Sequence, residues 1–305
     1  MTSQSPPIIF DTVRHARFRD RAASDFAQYD FLKARVSSQM AERLADTSHN
    51  FAAGLDLGCH TGQLARSLLD TGKVASVQGI EVSQSMADLA REQGLMTAVW
   101  DGATLPMEAD QLDLVASALS LHWINDLPGA LIQVNRILKP DGLFLAAYFG
   151  AGTLAELREC LIRAETELTG GAGLRVSPLP GLLDSAGLLQ RAGFALPVAD
   201  VETMTVRYDT LFHLVDDLRG MGEQASFALR TRPLSRRVLA RAAELYAQDF
   251  SDPDGRIRAS FVIIWLSGWA PAAHQPKPMR PGSAKASLAE ALGAVEKSAG
   301  EKAGG

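Results

Sequence analysis

"LDLGCHTGQLA", residues 55–65, decides how the whole chain is read. A short apolar run delivers an acidic side chain, Asp56, into a glycine turn, and a helical pattern follows. Strand, glycine turn and helix in that order begin a nucleotide-binding βα unit. One position is out of pattern, because His60 stands where the middle glycine of a triplet belongs.

Outward from this turn, strand-like and helix-like periods alternate. "AAGLDLG" predicts a buried strand, and "GQLARSLLDTG" a helix that stops at Gly72. "VASVQGIE", "LMTAVWD", "QLDLVASAL" and "LFLAAYF" predict four more strands. Between them, "SQSMADLAREQG" predicts a helix, as does "DLPGALIQVNRILKPDG", which ends in a Pro-Asp-Gly turn. Such alternation predicts an α/β fold, a parallel sheet with helices on both faces. Upstream, residues 8–46 read as a helical cover, with Phe31, Leu32, Val36, Met40 and Leu44 at helical spacing. Downstream, "TLAELRECLIRAETELTG" and "LPGLLDSAGLLQRAGF" read as helices around a Gly/Pro-rich loop, "GGAGLRVSPLPG", mobile or close to the substrate. "VADVETMTVRY" and "RIRASFVIIWLSGWA" read as strands, and residues 210–248 as helix broken near Gly220 and Gly222. From Pro271 the composition shifts to Pro, Lys, Ala, Gly and Ser. The expected division is a cover over 1–46, a nucleotide-binding domain over 47–270 and a flexible tail over 271–305.

Composition narrows the class. With 305 residues, 47% hydrophobic and 21% charged, the chain can bury a full core without staples. A net charge of −5 gives no basis for nucleic-acid or anionic-membrane binding. Arg14, Arg17, Arg19 and Arg21 read as the solvated face of a polar helix, a grip on an acidic partner being the alternative. Cys59 and Cys160 form no CxxC pair and read as packing residues. No His/carboxylate triplet has metal spacing, so no metal is expected. Sparse cysteine suits a reducing compartment, no apolar run matches a membrane span, and residues 1–24 lack a signal core. The expected location is cytoplasmic.

A dinucleotide fingerprint starting at Gly58 needs glycine at 60 and 63, where His60 and Gln63 stand. A P-loop needs Gly-Lys-Ser/Thr, which is absent. The S-adenosylmethionine loop, acidic-x-G-x-G-x-G, fits at Asp56, Gly58 and Gly62 but not at His60. Three polar positions line up at strand ends, where open parallel sheets bind ligands. Glu81 suits the ribose diol, Asp101 the adenine amine, and Asp56 the ammonium end. Ser117–Trp123, after the fourth strand, reach the same edge, with Ser117 a further candidate for the cofactor. Histidine tolerates left-handed backbone, so the His60 ring either leans away or covers the methionine end.

"LDLGCHTGQLA", "GIEVSQSM", "VWDGATLPMEADQLDLVASALSLHW" and "VNRILKPDGLFLAAYF" resemble successive motifs of the class I S-adenosylmethionine-dependent methyltransferases. That resemblance implies a Rossmann-like seven-stranded sheet with an antiparallel last hairpin and a helical cap at about 208–256. "LSLHWINDLP", "LLQRAGF", "FHLVDDLRGMGE" and "KPMRPGSAK" extend it to the family of the fifth assembly factor of mitochondrial complex I and its bacterial relatives. This narrower resemblance implies hydroxylation of an arginine on a quinone-module subunit of complex I. The family is also similar to the biotin-pathway enzyme that methylates malonyl-carrier protein, so methyl transfer to that acceptor or a small acid is an alternative. A non-catalytic, cofactor-gated assembly chaperone is another.

His122 and Trp123 follow the fourth strand, where this fold places the transferred methyl group. His122 reads as a general base or orienting group, or as a hydrogen-bonded wall residue beside a Trp123 packed on the cofactor. Tyr148, ending the fifth strand, is a candidate on the substrate side or a core-edge aromatic. Asn125 and Asp126 read as helix caps. Asp216, Asp217 and Glu223 would suit a guanidinium, although solvated surface acids are the commoner case. Lys277, Arg280 and Lys285 in the tail are candidates for partner contact.

Overall fold

The structure, a computed structural model, describes residues 7–229, 232–276 and Gly293. Contacts separate Met1–Pro271 from Ala272–Gly305. In the second unit, the Gln275 N–H donates to the Ala272 carbonyl at 3.2 Å, closing a turn. Lys277, Arg280 and Lys285 lie outside the described residues.

Seven strands form one sheet: β1 (Gly54–Leu57), β2 (Val77–Glu81), β3 (Thr97–Val99), β4 (Leu112–Ala118), β5 (Leu138–Phe149), β6 (Ala195–Tyr208) and β7 (Ile257–Trp269). Their order is β3-β2-β1-β4-β5-β7-β6. β1 to β5 run parallel, and β7 is antiparallel to both β5 and β6. This is the class I methyltransferase arrangement that the motifs imply. The strand order reverses between β1 and β4, so the loops after those strands diverge and open a crevice.

Side-chain alternation along the strands sorts the core into two layers. On β5, Leu143, Leu145, Ala147 and Phe149 face one layer, with α2 (Phe31–Ala45), α6 (Ala155–Thr169) and α9 (Arg236–Phe250). Phe144, Ala146 and Tyr148 face the other, with α5 (Leu127–Ile137) and α7 (Leu182–Arg191). On α2, Leu32, Val36, Met40 and Leu44 are buried, whereas Phe31 is 39% exposed at the first turn. The remaining helices are α1 (Thr12–Ala22), α3 (Gln63–Asp70), α4 (Gln84–Glu92) and α8 (Leu211–Gly220) among the described residues. A short 3₁₀ helix, Ala23–Gln28, joins α1 to the segment before α2. Among the described residues no helix is long and apolar enough to cross a membrane.

Local chemistry accounts for the boundaries. Asp11 caps α1 through the Arg14 N–H, Ser83 caps α4 through Met86, and Asp126 caps α5 through Gly129. The Pro-Asp-Gly segment does not close α5 as a separate turn. α5 ends at Ile137, and Lys139–Gly142 form an irregularity inside β5, where pairing with β4 shifts between Leu112 and Leu114. Asp141 is left-handed there, at φ 66°, and Pro140 has no N–H to give a ladder.

Because Met40 is 1% exposed in the larger core layer, Met40→Ala is expected to cost about 2–5 kcal/mol in urea melts. Phe31→Ala, at the exposed start of the same helix, is expected to cost under about 1 kcal/mol.

Candidate functional site

The turn after β1 is built by three left-handed residues: Gly58 (φ 76°), His60 (φ 51°) and Gly62 (φ 83°). Gly58 has no alternative, since a Cβ there would stand 2.1 Å from the Ser120 Oγ. Gly62 begins α3 directly against the sheet. The His60 ring is buried and stacks on Phe26 at 5.4 Å, and its Nδ1 lies 3.0 Å from the Gly58 carbonyl. Burial, reinforced by the Arg19 and Lys33 charges, holds this imidazole well below its ordinary pKa, so it is neutral.

Glu81, at the end of β2, is fully buried. It accepts from the backbone N–H groups of His60 (2.9 Å), Val82 (3.0 Å) and Ser83 (3.1 Å). It is also held by the Arg19 guanidinium, whose Nη1 lies 3.1 and 3.2 Å from the two carboxylate oxygens. Arg19 donates to the Ser120 Oγ as well, at 3.3 Å, and approaches the Glu223 Oε1 at 3.7 Å. The arginines of α1 are therefore not all a solvated face: Arg19 is 1% exposed, because the helix lays it across the crevice onto a buried carboxylate.

Lys33, on α2, is a second buried cation. Its Nζ donates to the Ala118 carbonyl at 2.7 Å and the Gly58 carbonyl at 3.2 Å. Asp56 lies in the same buried network. One of its oxygens accepts from the Ala65 N–H at 3.1 Å, and the other has no hydrogen-bond partner among the described residues. Arg19 stands out in the sequence only as one of four arginines in a polar helix, and Lys33 only as a cation between core positions of an amphipathic one; both lie outside every glycine or strand-end motif.

The remaining positions spread along the same edge. Asp101 is exposed and accepts from the Ala103 N–H at 2.9 Å. It borders a cleft of about 660 Å³ with Phe10, Thr12, Gly102, Ile124 and Asn125. The Ser117 hydroxyl is buried and donates to the Leu57 carbonyl at 2.7 Å, bracing β4 against β1. Tyr148 is not brought to this edge. It is fully buried, donates to the Ser185 Oγ at 2.7 Å, and belongs to the opposite core layer from Phe149. Burial pushes its phenol up to about 12. Asn125 does not cap α5. Its Oδ1 accepts from the Ile9 and Phe10 N–H groups at 2.8 Å.

A second cavity, of about 620 Å³, opens beside His122 and Trp123 and is lined mostly by apolar side chains, among them Phe18, Phe149, Leu157 and Phe261. Glu223, from the loop after α8, stands in its wall and is almost closed to solvent. Its Oε2 accepts from His122 Nε2 at 3.0 Å and Trp123 Nε1 at 2.7 Å. Burial raises its pKa, but His122, Arg19 and Trp123 outweigh that and hold it below the ordinary carboxylate value. Glu223 is thus no surface acid. Asp216 is one, paired with Arg219 on the exposed side of α8. With Nε2 turned to Glu223, the buried His122 Nδ1 has no partner among the described residues.

The acceptor set is matched to cations and hydroxyls. An ammonium rests on the Gly58 and Ala118 carbonyls, a guanidinium rests on Glu81, and Asp56 keeps one oxygen unpaired. An adenosyl group carrying an ammonium and a ribose diol fits that chemistry, with Asp101 beside the open cleft for a base. It fits on one condition: the ribose and Arg19 need the same carboxylate.

Asp56 also carries a pH signature. Burial, opposed by the Lys33 charge, raises its pKa from 3.8 to about 6. The native state therefore holds a proton that the unfolded chain releases, and stability from this group falls as pH rises from about 4 through about 6. Asp56→Asn is expected to abolish that fall and to gain roughly 1–3 kcal/mol at pH 7, checked by urea melts at both ends of the window.

Residues 55–146 match a family described as a methyltransferase domain. The chain is 36% identical over 286 residues to arginine-hydroxylase NDUFAF5, mitochondrial, of Danio rerio, covering 92% of this chain and 89% of that protein. It is 30% identical to malonyl-[acyl-carrier protein] O-methyltransferase of Methylovorus, covering 88% of this chain and 93% of that one. The crystal structure of YcgJ protein from Bacillus subtilis shares the fold, with a TM-score of 0.54 at 16% identity over 78% of this chain and 99% of that one. The matched length takes in the loop after α8 as well as the crevice, and the chain belongs to the NDUFAF5 family of methyltransferase-fold enzymes.

Proposed function

We propose that the protein binds S-adenosylmethionine in the crevice between β1 and β4 and hydroxylates an arginine on a protein partner, a quinone-module subunit of respiratory complex I. In this reading Gly58, His60 and Gly62 shape the loop, Glu81 takes the ribose hydroxyls, Asp101 faces the adenine, and Asp56 steers the ammonium end. Ser117 braces the floor. When bound, the cofactor supplies a sulfonium with a transferable methyl group. Hydroxylation itself replaces C–H by C–OH, with the oxygen atom drawn either from an external peroxide, whose other oxygen leaves as water, or from dioxygen together with an external two-electron reductant and two protons, the second oxygen again leaving as water.

The observation that carries the reading is the similarity to arginine hydroxylases across 92% of the chain. The site supplies a physical counterpart. Glu223 is a largely shielded carboxylate in the wall of an apolar cavity, and its Oε1 already faces a guanidinium, that of Arg19. A carboxylate so placed suits an arginine, because charge-assisted hydrogen bonds are strongest out of water. His122, held through Nε2 by Glu223, fixes the orientation of that carboxylate toward the incoming group, and Trp123 holds the same carboxylate. Residues 208–256 act as the cap over this cavity. Tyr148, locked in the core by Ser185, acts on the site through packing. Cytoplasmic location rests on the two isolated cysteines, whereas the NDUFAF5 relatives are named mitochondrial.

Mass spectrometry of the quinone-module subunit from a deletion strain tests this. One oxygen atom on an arginine is expected to be missing, restored by the wild-type gene, and not restored by Glu223→Gln or His122→Ala. An unchanged subunit in the deletion strain contradicts the proposal. Restoration by Glu81→Ala points instead to a scaffold, and a missing methyl group points to methyl transfer.

A further inference from the structure

α1 is bound on three sides. Ahead of it, Ile9 and Phe10 are pinned by Asn125, at 2.8 Å each, and Phe10 and His15 pack on Trp123 at 5.0 and 4.4 Å. Toward the loop after α8, the Asp11 N–H donates to the Ser226 carbonyl at 2.7 Å, and Arg14 donates to the Phe227 carbonyl at 2.9 Å. Toward α4, Asp20 accepts from the Ser83 hydroxyl at 2.6 Å and the Ser85 N–H at 3.0 Å. From this position α1 furnishes walls to both spaces. Thr12, His15 and Arg19 close a remnant of about 30 Å³ over Gly58, Trp100 and Ser120, and Phe18 lines the large cavity.

Arg19 is the bolt. Its guanidinium lies on Glu81 and Ser120 and reaches toward Glu223, so one side chain spans the crevice and the loop that carries Glu223. Gly222, left-handed at φ 73°, gives it room, since a Cβ there would stand 3.0 Å from the Arg19 Cγ. A space of about 30 Å³ holds about one water molecule and no ribose. Glu81 has no exposed surface by which a diol reaches it while Arg19 is in place.

We propose that α1 and the segment leading into it form a strap closed over the crevice, and that Arg19 and the cofactor's ribose compete for the Glu81 carboxylate. The proposal rests on the S-adenosylmethionine reading given above. Cofactor binding then requires α1 to lift. Lifting α1 releases the loop 226–228 and frees the Glu223 Oε1 from Arg19. The crevice thereby sets the access of a cationic substrate to Glu223, and cofactor binds before substrate.

Two variants and two readouts test the strap. Arg19→Gln removes the bolt. Asp20→Ala loosens α1 at the α4 end and leaves the charges of the crevice in place, which covers the case in which Glu81 without its partner unfolds the protein. Hydrogen exchange over residues 12–22 without ligand is expected to rise at least about tenfold in both. Calorimetry with S-adenosylhomocysteine is expected to show binding at least about tenfold tighter than wild type in both. Exchange at the wild-type level in both variants, or binding equal to or weaker than wild type, overturns the strap alone. No binding by wild type or either variant overturns the cofactor reading and the competition with it.

Discussion

The structure turns on one carboxylate, Glu81, that is fully buried. It ends β2, the neighbour of β1 beside the crevice, and three backbone N–H groups and a guanidinium converge on it. Removing the partner of such a buried charge typically costs about 3–5 kcal/mol, so whatever faces Glu81 is strongly determined. The His60 N–H bond to it ties the loop after β1 to β2. The Arg19 bond ties the N-terminal helix to both, and the reach of Arg19 toward Glu223 carries the connection to the far cavity.

His60 shows how a departure from a motif is absorbed. It keeps the left-handed conformation a glycine would take, and its ring turns onto Phe26. Its backbone N–H still serves Glu81. The loop therefore retains its shape and its donor, and what changes is the wall beside Lys33 and Tyr29, which is filled by a neutral ring.

Much of this was legible in the residues. Periodicity placed the strands and most helices, because the central strands β1, β4 and β5 are apolar runs buried on both faces and the outer strand β6 alternates. The place of Glu81 at the end of β2 was legible because a parallel sheet turns its strand ends to one crevice, whereas Asp101 falls in the loop past β3. What escaped were long-range pairings of polar side chains. Arg19 is indistinguishable in sequence from Arg17, which is exposed two residues away. Lys33 lies between core positions of an amphipathic helix, and its burial follows from the Gly58 and Ala118 carbonyls that fold back against it. Glu223 reads as one acid among several, and only the tertiary position of the loop after α8 brings it to His122. The Pro-Asp-Gly segment misled for a local reason: a left-handed Asp141 serves a strand irregularity as readily as a turn.

The same fold supports many reactions, so its sheet decides where a ligand lies and not what is done to it. What bears on the reaction here is the apolar cavity, the Glu223 carboxylate in its wall, and the helix α1 that lines both that cavity and the crevice. The most direct test is a crystal structure of the full chain with S-adenosylhomocysteine. The account predicts both ribose hydroxyls on Glu81, the adenine beside Asp101, and Arg19 displaced from the carboxylate. A ligand bound elsewhere, with Arg19 still seated on Glu81, would contradict it.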